Sequence, residues 1–224
     1  MEKSRLERSA PLTGVAFVIL AVAGVALALP GSPDFMAPAD DYVHYFSEHD
    51  GEIIIGSLLL GGALFFLMWF IGSLRSALRE AEGGDGRVAS VAAMGGAVGV
   101  AMMLAANSAR AAAAFRMDEQ GTLESGTAAA LGDMADVLWG LAAPVAFGVL
   151  VAGTAVLGFR HGAVPQWMSW ASTVLAVALV FPFGSWLAIM VFPLWVLIMS
   201  AILYRRENAA AGARARAGAV AAPA

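Results

Sequence analysis

Asn107, Ser108 and Arg110 close one apolar stretch of this chain, and Asp133, Asp136 and Trp139 open the next. If the two stretches are antiparallel neighbours, these groups share one height. A guanidinium then has a carboxylate in reach, with an amide and an indole N–H beside it. Such a set can bind a small polar or anionic ligand in an outward-facing pocket, with Arg110 as the anchor and Asn107, Asp133, Asp136 and Trp139 around it. The plainer reading is an ion pair that only joins two helices, or an Arg110 whose stem lies along its helix while its head reaches lipid headgroups, because ionisable groups near membrane depth pair or line cavities.

A second cluster lies earlier. Asp40 or Asp41, His44 and Glu48 follow at spacings of three or four, with His49 and Glu52 close by. One helical face of carboxylate, imidazole and carboxylate suits a divalent metal. The same spacing describes the wetted face of an amphipathic helix, and no HExxH-like pattern accompanies it, so no metal ligand is assigned. Other chemistry is poorly provided for. There is no cysteine, hence no thiolate and no disulfide. The sole lysine, Lys3, stands near the N-terminus, which excludes a buried Schiff base of the retinal type. No nucleophile and base fall together within an apolar stretch, no cofactor motif is present, and an enzyme is the least favoured class.

These residues are positioned by a chain that is 60% hydrophobic and 13% charged, with a mean hydropathy of +0.76. A water-soluble domain of 224 residues does not tolerate that composition, so lipid is the expected solvent. Six apolar stretches are read as crossings, at about 12–29, 53–74, 88–109, 137–159, 168–183 and 186–204. The last two come from one run from Trp167 to Tyr204, about 57 Å long as a single helix. It must fold back, and Pro182-Phe183-Gly184-Ser185 is where it reverses.

Alternating the crossings puts eleven of the thirteen Lys and Arg residues on one side, leaving only Arg110 and Arg116 on the other. By the positive-inside rule both termini face the cytoplasm. The outer loop with Asp34, Asp40, Asp41, Glu48, Asp50 and Glu52 has no basic residue, and the net charge of -4 argues against nucleic acid as a partner. The abundance of Ala, Gly and Arg points to a bacterial cell membrane. Ala26-Leu27-Ala28 also suits a signal-peptidase site, but the first stretch is long for a signal peptide, and its retention is expected.

Within this frame, Ala89, Ala93, Ala97, Ala101, Ala105, Ala109 and Ala113 recur every fourth residue, with Gly95 and Gly99 on a neighbouring face. Small residues allow the close backbone approach on which helix association in lipid depends, so the third helix is expected at the centre. The fourth answers with Gly140, Pro144, Gly148 and Ala152, and Pro144 should kink it. The segment from Pro38 to His49 reads as a short helix on the outer membrane surface, with Tyr42, Val43, Tyr45 and Phe46 facing the lipid. Residues 207–224 read as a disordered cytoplasmic tail beyond a membrane domain of residues 1–206.

The aromatic helix ahead of the second stretch, the exit Leu74-Arg75 to Leu78-Arg79 and the run Pro165-x-Trp167-x-x-Trp170 together resemble an uncharacterised family of bacterial six-helix membrane proteins defined as a domain of unknown function. The resemblance implies a fold and a location and carries no activity. The expectation is an all-α, six-span bundle with a short outer amphipathic helix. It would be a non-catalytic membrane component or accessory subunit that meets lipid, and a protein partner or second copy, through its helices. A small transporter or ligand-binding protein is the alternative.

Overall fold

The computed structural model describes residues 12–221, with the side chains of 182, 183, 210 and 213–221 left out. Lys3, Arg5 and Arg8, assigned above to the inner side, lie outside the described residues. Among those described there is no strand. The helices are α1 (Thr13–Ala28), α2 (Ala39–Glu82), α3 (Arg87–Gln120), α4 (Ser125–Val137), α5 (Ala143–His161), α6 (Gln166–Val180) and α7 (Pro182–Ala221), with a π-helical turn, Leu138–Ala142, joining α4 to α5. Four are long and apolar enough to cross a membrane: Ala39–Glu82, Arg87–Gln120, Ser125–His161 and Gly184–Ala209. α1 and α6, with 16 and 15 residues, are apolar but shorter.

Successive rods run antiparallel, as the contacts show. Gly24 meets Gly56 between α1 and α2, Ile71 meets Gly96 between α2 and α3, and Phe147 meets Gly99 between α3 and α5. Trp195 Nε1 donates to Ser172 Oγ at 2.9 Å between α7 and α6. The turns are chemically specified. Gly83 and Gly86 take φ of 69° and 63°, which residues with a Cβ avoid, and the Glu82 carboxylate accepts from the first amides of α3, Val88 N and Ala89 N, both at 2.9 Å. The reversal between α6 and α7 needs one extended residue, Phe181. Pro182 then opens α7, where its missing N–H costs nothing.

The α3 interface corrects the alanine stripe. Ala97, Ala101 and Ala105 are exposed, and the buried face runs through Ala92, Gly95, Gly96, Gly99, Met103, Ala106 and Arg110. At about 100° per residue, a step of four advances about 40° round the helix, so a strict four-residue repeat spirals off any single face. Ala89, Ala109 and Ala113 are buried because the spiral starts and ends under neighbours. The glycines make the contact. A Cβ on Gly95 would lie 2.6 Å from Val149 Cβ and 2.8 Å from the Ala146 carbonyl oxygen, and one on Gly99 would lie 2.7 Å from the Phe147 ring. Gly148 and Gly140, expected to face α3, face Val180 and Trp186 instead.

Three further expectations change. α2 begins at Ala39 and runs into the second apolar stretch with only a kink at His49. Tyr42, Tyr45 and Phe46 do not face lipid: they are buried against Ala113, Ala114, Met117, Leu123 and Ala128. The third and fourth stretches extend past 109 and start before 137, giving α3 and α4 the extra turns that cover those aromatics, so the expected surface helix is one wall of a small helical cap. Finally, α7 continues to Ala221, so residues from Glu207 that were expected to be disordered are helical as far as they are described. Alanine and arginine are strong helix formers, and low hydrophobicity does not prevent a helix from being extended from one already formed.

Gly95→Ala should lower the melting temperature in detergent despite alanine's better helix propensity, because overpacking costs about 1–3 kcal/mol. Ala97→Leu and Ala101→Leu should stay within about 0.5 kcal/mol of the parent. The opposite ranking in a thermal melt contradicts this assignment of the faces.

Candidate functional site

The register that aligns Ala92 with Gly153 and Gly99 with Phe147, carried one helix end further, brings Arg110 to Asp136. Arg110 Nη2 donates to Asp136 Oδ1 at 2.7 Å, and relative exposures of 9% and 8% place both side chains inside the protein. Arg110 therefore does not reach outward to headgroups. In a low-dielectric site a charge-assisted bond of this kind is strong only while both partners are present.

The other site residues divide. Asp133, the alternative partner, is engaged elsewhere: its Oδ1 accepts from the Tyr42 hydroxyl at 2.7 Å and from Met36 N at 2.9 Å. The same hydroxyl lies 3.0 Å from the Asp34 carbonyl oxygen, so Asp133 and Tyr42 together hold down the loop between α1 and α2. Met36 has φ of 62°, unusual for a residue with a side chain, and the Asp133 bond helps to hold it there. Asn107 donates from Nδ2 to the Ser57 carbonyl oxygen at 3.0 Å, tying α3 to α2. Trp139 lies one turn beyond Asp136.

A break in the helix sets the position of Trp139. Pro144 has no N–H for the carbonyl four residues back, at Gly140. The chain widens there into the π turn Leu138–Ala142, and Ser185 Oγ of α7 donates to the Gly140 oxygen at 2.7 Å. The expected kink at Pro144 is thus a π turn whose freed acceptor is satisfied from a neighbouring helix. Arg110, Asn107 and Trp139 line a cavity with Ala28, Leu29, Leu60, Ala106 and Ala135, of about 10 Å³, room for about one water molecule. Asp133 and Asp136 do not line it.

The sequence points Arg110 to Asp133 or Asp136 without choosing between them, and gives no place in the site to Tyr42, Tyr45 and Ser57. The Tyr45 hydroxyl donates to the Ala28 carbonyl oxygen at the end of α1. The two tyrosines, three residues apart and followed by Phe46, were a visible signal, but it was assigned to lipid. The face of Asp40, Asp41, His44 and Glu48 is largely exposed. His44 Nε2 and Glu48 Oε2 are 3.2 Å apart, His49 turns away at the kink with its ring beside Tyr45, and among the described residues no group of three His, Asp or Glu side chains is placed to hold a metal ion.

α4, which supplies both aspartates, is started by Glu124. Its carboxylate accepts from Thr127 N at 2.7 Å, Thr127 Oγ1 at 2.8 Å and Gly126 N at 3.0 Å. These bonds, those from Thr127 foremost, hold its pKa below the ordinary glutamate value. A group depressed on folding stabilises above its unfolded pKa, and that contribution is lost as pH falls through the folded value. Glu124→Gln should therefore cost stability near neutrality, and the gap from the parent should close in acid, below the usual carboxylate range. A gap that persists there contradicts the cap.

Removing one ion partner, by Arg110→Ala or Asp136→Ala, should cost about 3–5 kcal/mol, whereas a paired replacement by apolar residues should recover most of it. Additive losses in a double-mutant cycle of melting free energies would contradict the coupling. Comparisons with protein-family models, with curated proteins and with solved structures find no match to this chain.

Proposed function

We propose that this chain is a six-span protein of a bacterial cell membrane, with both termini cytoplasmic, which acts as a non-catalytic component or accessory subunit through its helix surfaces and outer cap. The carrying observation is the outward face of the bundle. Leu58, Phe65 and Trp69 on α2, Met94 and Val98 on α3, Val174 on α6 and Leu187 on α7 are all exposed, far beyond the apolar surface that a water-soluble monomer presents. Arg75, Arg79, Arg87 and Arg160 gather at one end of the rods, and the acidic loop and cap at the other. α1 and α6 are about 24 and 22 Å long, so they complete the count of six with help from flanking residues or local thinning of the bilayer. Retention of α1 is supported by its packing, with Phe17 and Ala21 buried and Gly24 against Gly56.

The non-catalytic reading rests on how the polar groups are used. Arg110 and Asp136 neutralise each other, Asp133 fastens a loop, and Asn107 joins two helices. A transporter or ligand-binding protein is the second reading, favoured by the helix break beside a polar cavity, as in transporters whose sites sit at interrupted helices. The size of the cavity weighs against it. The suggested kinship with a six-helix family of unknown function adds no activity to either reading.

Cysteine labelling tests the topology without background, because the chain has no cysteine. In intact cells an impermeant maleimide should label Ser47→Cys and Gly126→Cys, and should label Gly84→Cys only after permeabilisation. All three positions are exposed. Labelling of Gly84→Cys alone in intact cells inverts the topology, and a mature chain starting near Leu29 by intact mass reduces the spans to five.

A further inference from the structure

At the end of the rods opposite the cap, two arginines of α2 stand without a carboxylate. Arg75 follows directly on the apolar run that ends at Leu74, and Arg79 lies one turn, about 6 Å, further along. Both are exposed. Arg75 Nη2 donates to Ser90 Oγ of α3 across a long 3.4 Å. The stem of Arg79 lies over the turn before α3, where a Cβ on Gly86 would be 2.7 Å from its Cγ. Neither makes an ion pair among the described residues, although Glu80 and Asp85 are near in sequence. A guanidinium carries several N–H donors, so most of those on this edge are left to whatever lies beside the protein. Ser90 accepts from Arg75 and keeps its own hydroxyl proton to donate.

The same edge continues into the apolar part of the bundle. Ile71 meets Gly96 and Arg75 meets Ser90, so Gly72 and Ala93 come next along the seam between α2 and α3, followed by Ala97. A Cβ on Gly72 would have nothing within 4 Å, Ala93 is half-buried and Ala97 is exposed. The seam is a shallow apolar track with two cationic groups at its end. That pattern matches a molecule with an anionic head and a hydrocarbon tail. Arginine binds phosphate oxygens strongly, and a zwitterionic lipid would bring a cation for which neither arginine has a paired carboxylate to offer. We infer that this seam holds one anionic phospholipid, with its phosphate between Arg75, Arg79 and Ser90 and an acyl chain along Gly72, Ala93 and Ala97. The inference rests on the membrane-spanning reading above.

The test is native mass spectrometry of the full chain released from detergent, with phosphatidylglycerol and phosphatidylcholine of equal chain length supplied together. The parent should retain phosphatidylglycerol in preference. Arg75→Gln and Arg79→Gln should each weaken that binding about fivefold, the worth of one arginine at an anionic surface. Gly72→Leu fills the track, leaves the charge intact and should weaken it too. Arg160→Gln deletes a charge at the same end on α5, which packs on another face of α3 through Gly95, and should leave binding unchanged. Equal retention of the two lipids overturns the site, and so does an equal loss in Arg160→Gln, which would mean diffuse attraction to the whole basic end. Unchanged binding in Gly72→Leu overturns the acyl track. Deacylated glycerophosphoglycerol at the same concentration should not displace the lipid, and displacement would make this a site for free phosphate esters instead. All four positions are exposed, so melting temperatures without added lipid should match the parent and separate lost binding from lost folding. Cysteine labelling that inverted the topology would move the site to the other leaflet and leave these binding results as stated, so the two readings fail separately.

Discussion

Close approach of backbones at glycine is the contact on which the rest of this molecule depends. Lipid tails are as apolar as leucine, so burying leucine between helices in a bilayer brings little advantage, and association falls to van der Waals contact over short distances. The helices meet where side chains are smallest. Gly24 and Gly56 lie against each other, each with the other's carbonyl oxygen 2.8 Å from where a Cβ would sit, Gly95 accepts Val149, Gly99 accepts Phe147, and Gly158 accepts Ser169. Large residues lie on both sides: Leu58 and Leu187 face outward, while Leu67, Phe70, Leu74 and Phe192 are buried between the helices.

Register follows from those contacts, and the polar site follows from register. Once Gly95 and Gly99 fix α3 against α5, Arg110 has no freedom to choose between Asp133 and Asp136: the nearer end of α4 presents Asp136, and Asp133 is left for the loop. The π turn then sets the direction in which Trp139 leaves the helix. One proline therefore acts at three places, removing a donor at Pro144, freeing the Gly140 oxygen for Ser185, and placing an indole beside the ion pair.

Much of the fold was legible because helices long and apolar enough to cross a membrane announce themselves by length and apolarity. The Pro182 reversal and the turn after Glu82 were legible because proline fixes φ and glycine allows the positive φ that other residues avoid. That Arg110 pairs with an aspartate of the next helix was legible because a buried charge demands a partner, whereas the choice of Asp136 over Asp133 was not. The alanine stripe misled because identity at every fourth residue was taken for a face, although the helix advances about 40° at each such step. The aromatic helix misled for another reason. Tyr42, Tyr45 and Phe46 are equally suited to a membrane interface and to a protein core, and only the unforeseen length of α3 and α4 decides between them. The break at Pro144 was legible, but its form as a π turn and the size of the cavity were not, since both depend on how neighbouring helices pack.

The outward face of α3 is where lipid as solvent and glycine as contact are tested together. Nitroxide labels placed singly at Met94, Ala97, Val98, Ala101 and Ala105 in a reconstituted bilayer, and at Ala92 and Ala106 for comparison, can be read by oxygen-dependent saturation. High oxygen accessibility at the first five sites, with minima at Ala92 and Ala106, is the predicted result. High values at Ala92 and Ala106 with protection along Ala97, Ala101 and Ala105, or water-like accessibility at all seven, would contradict it.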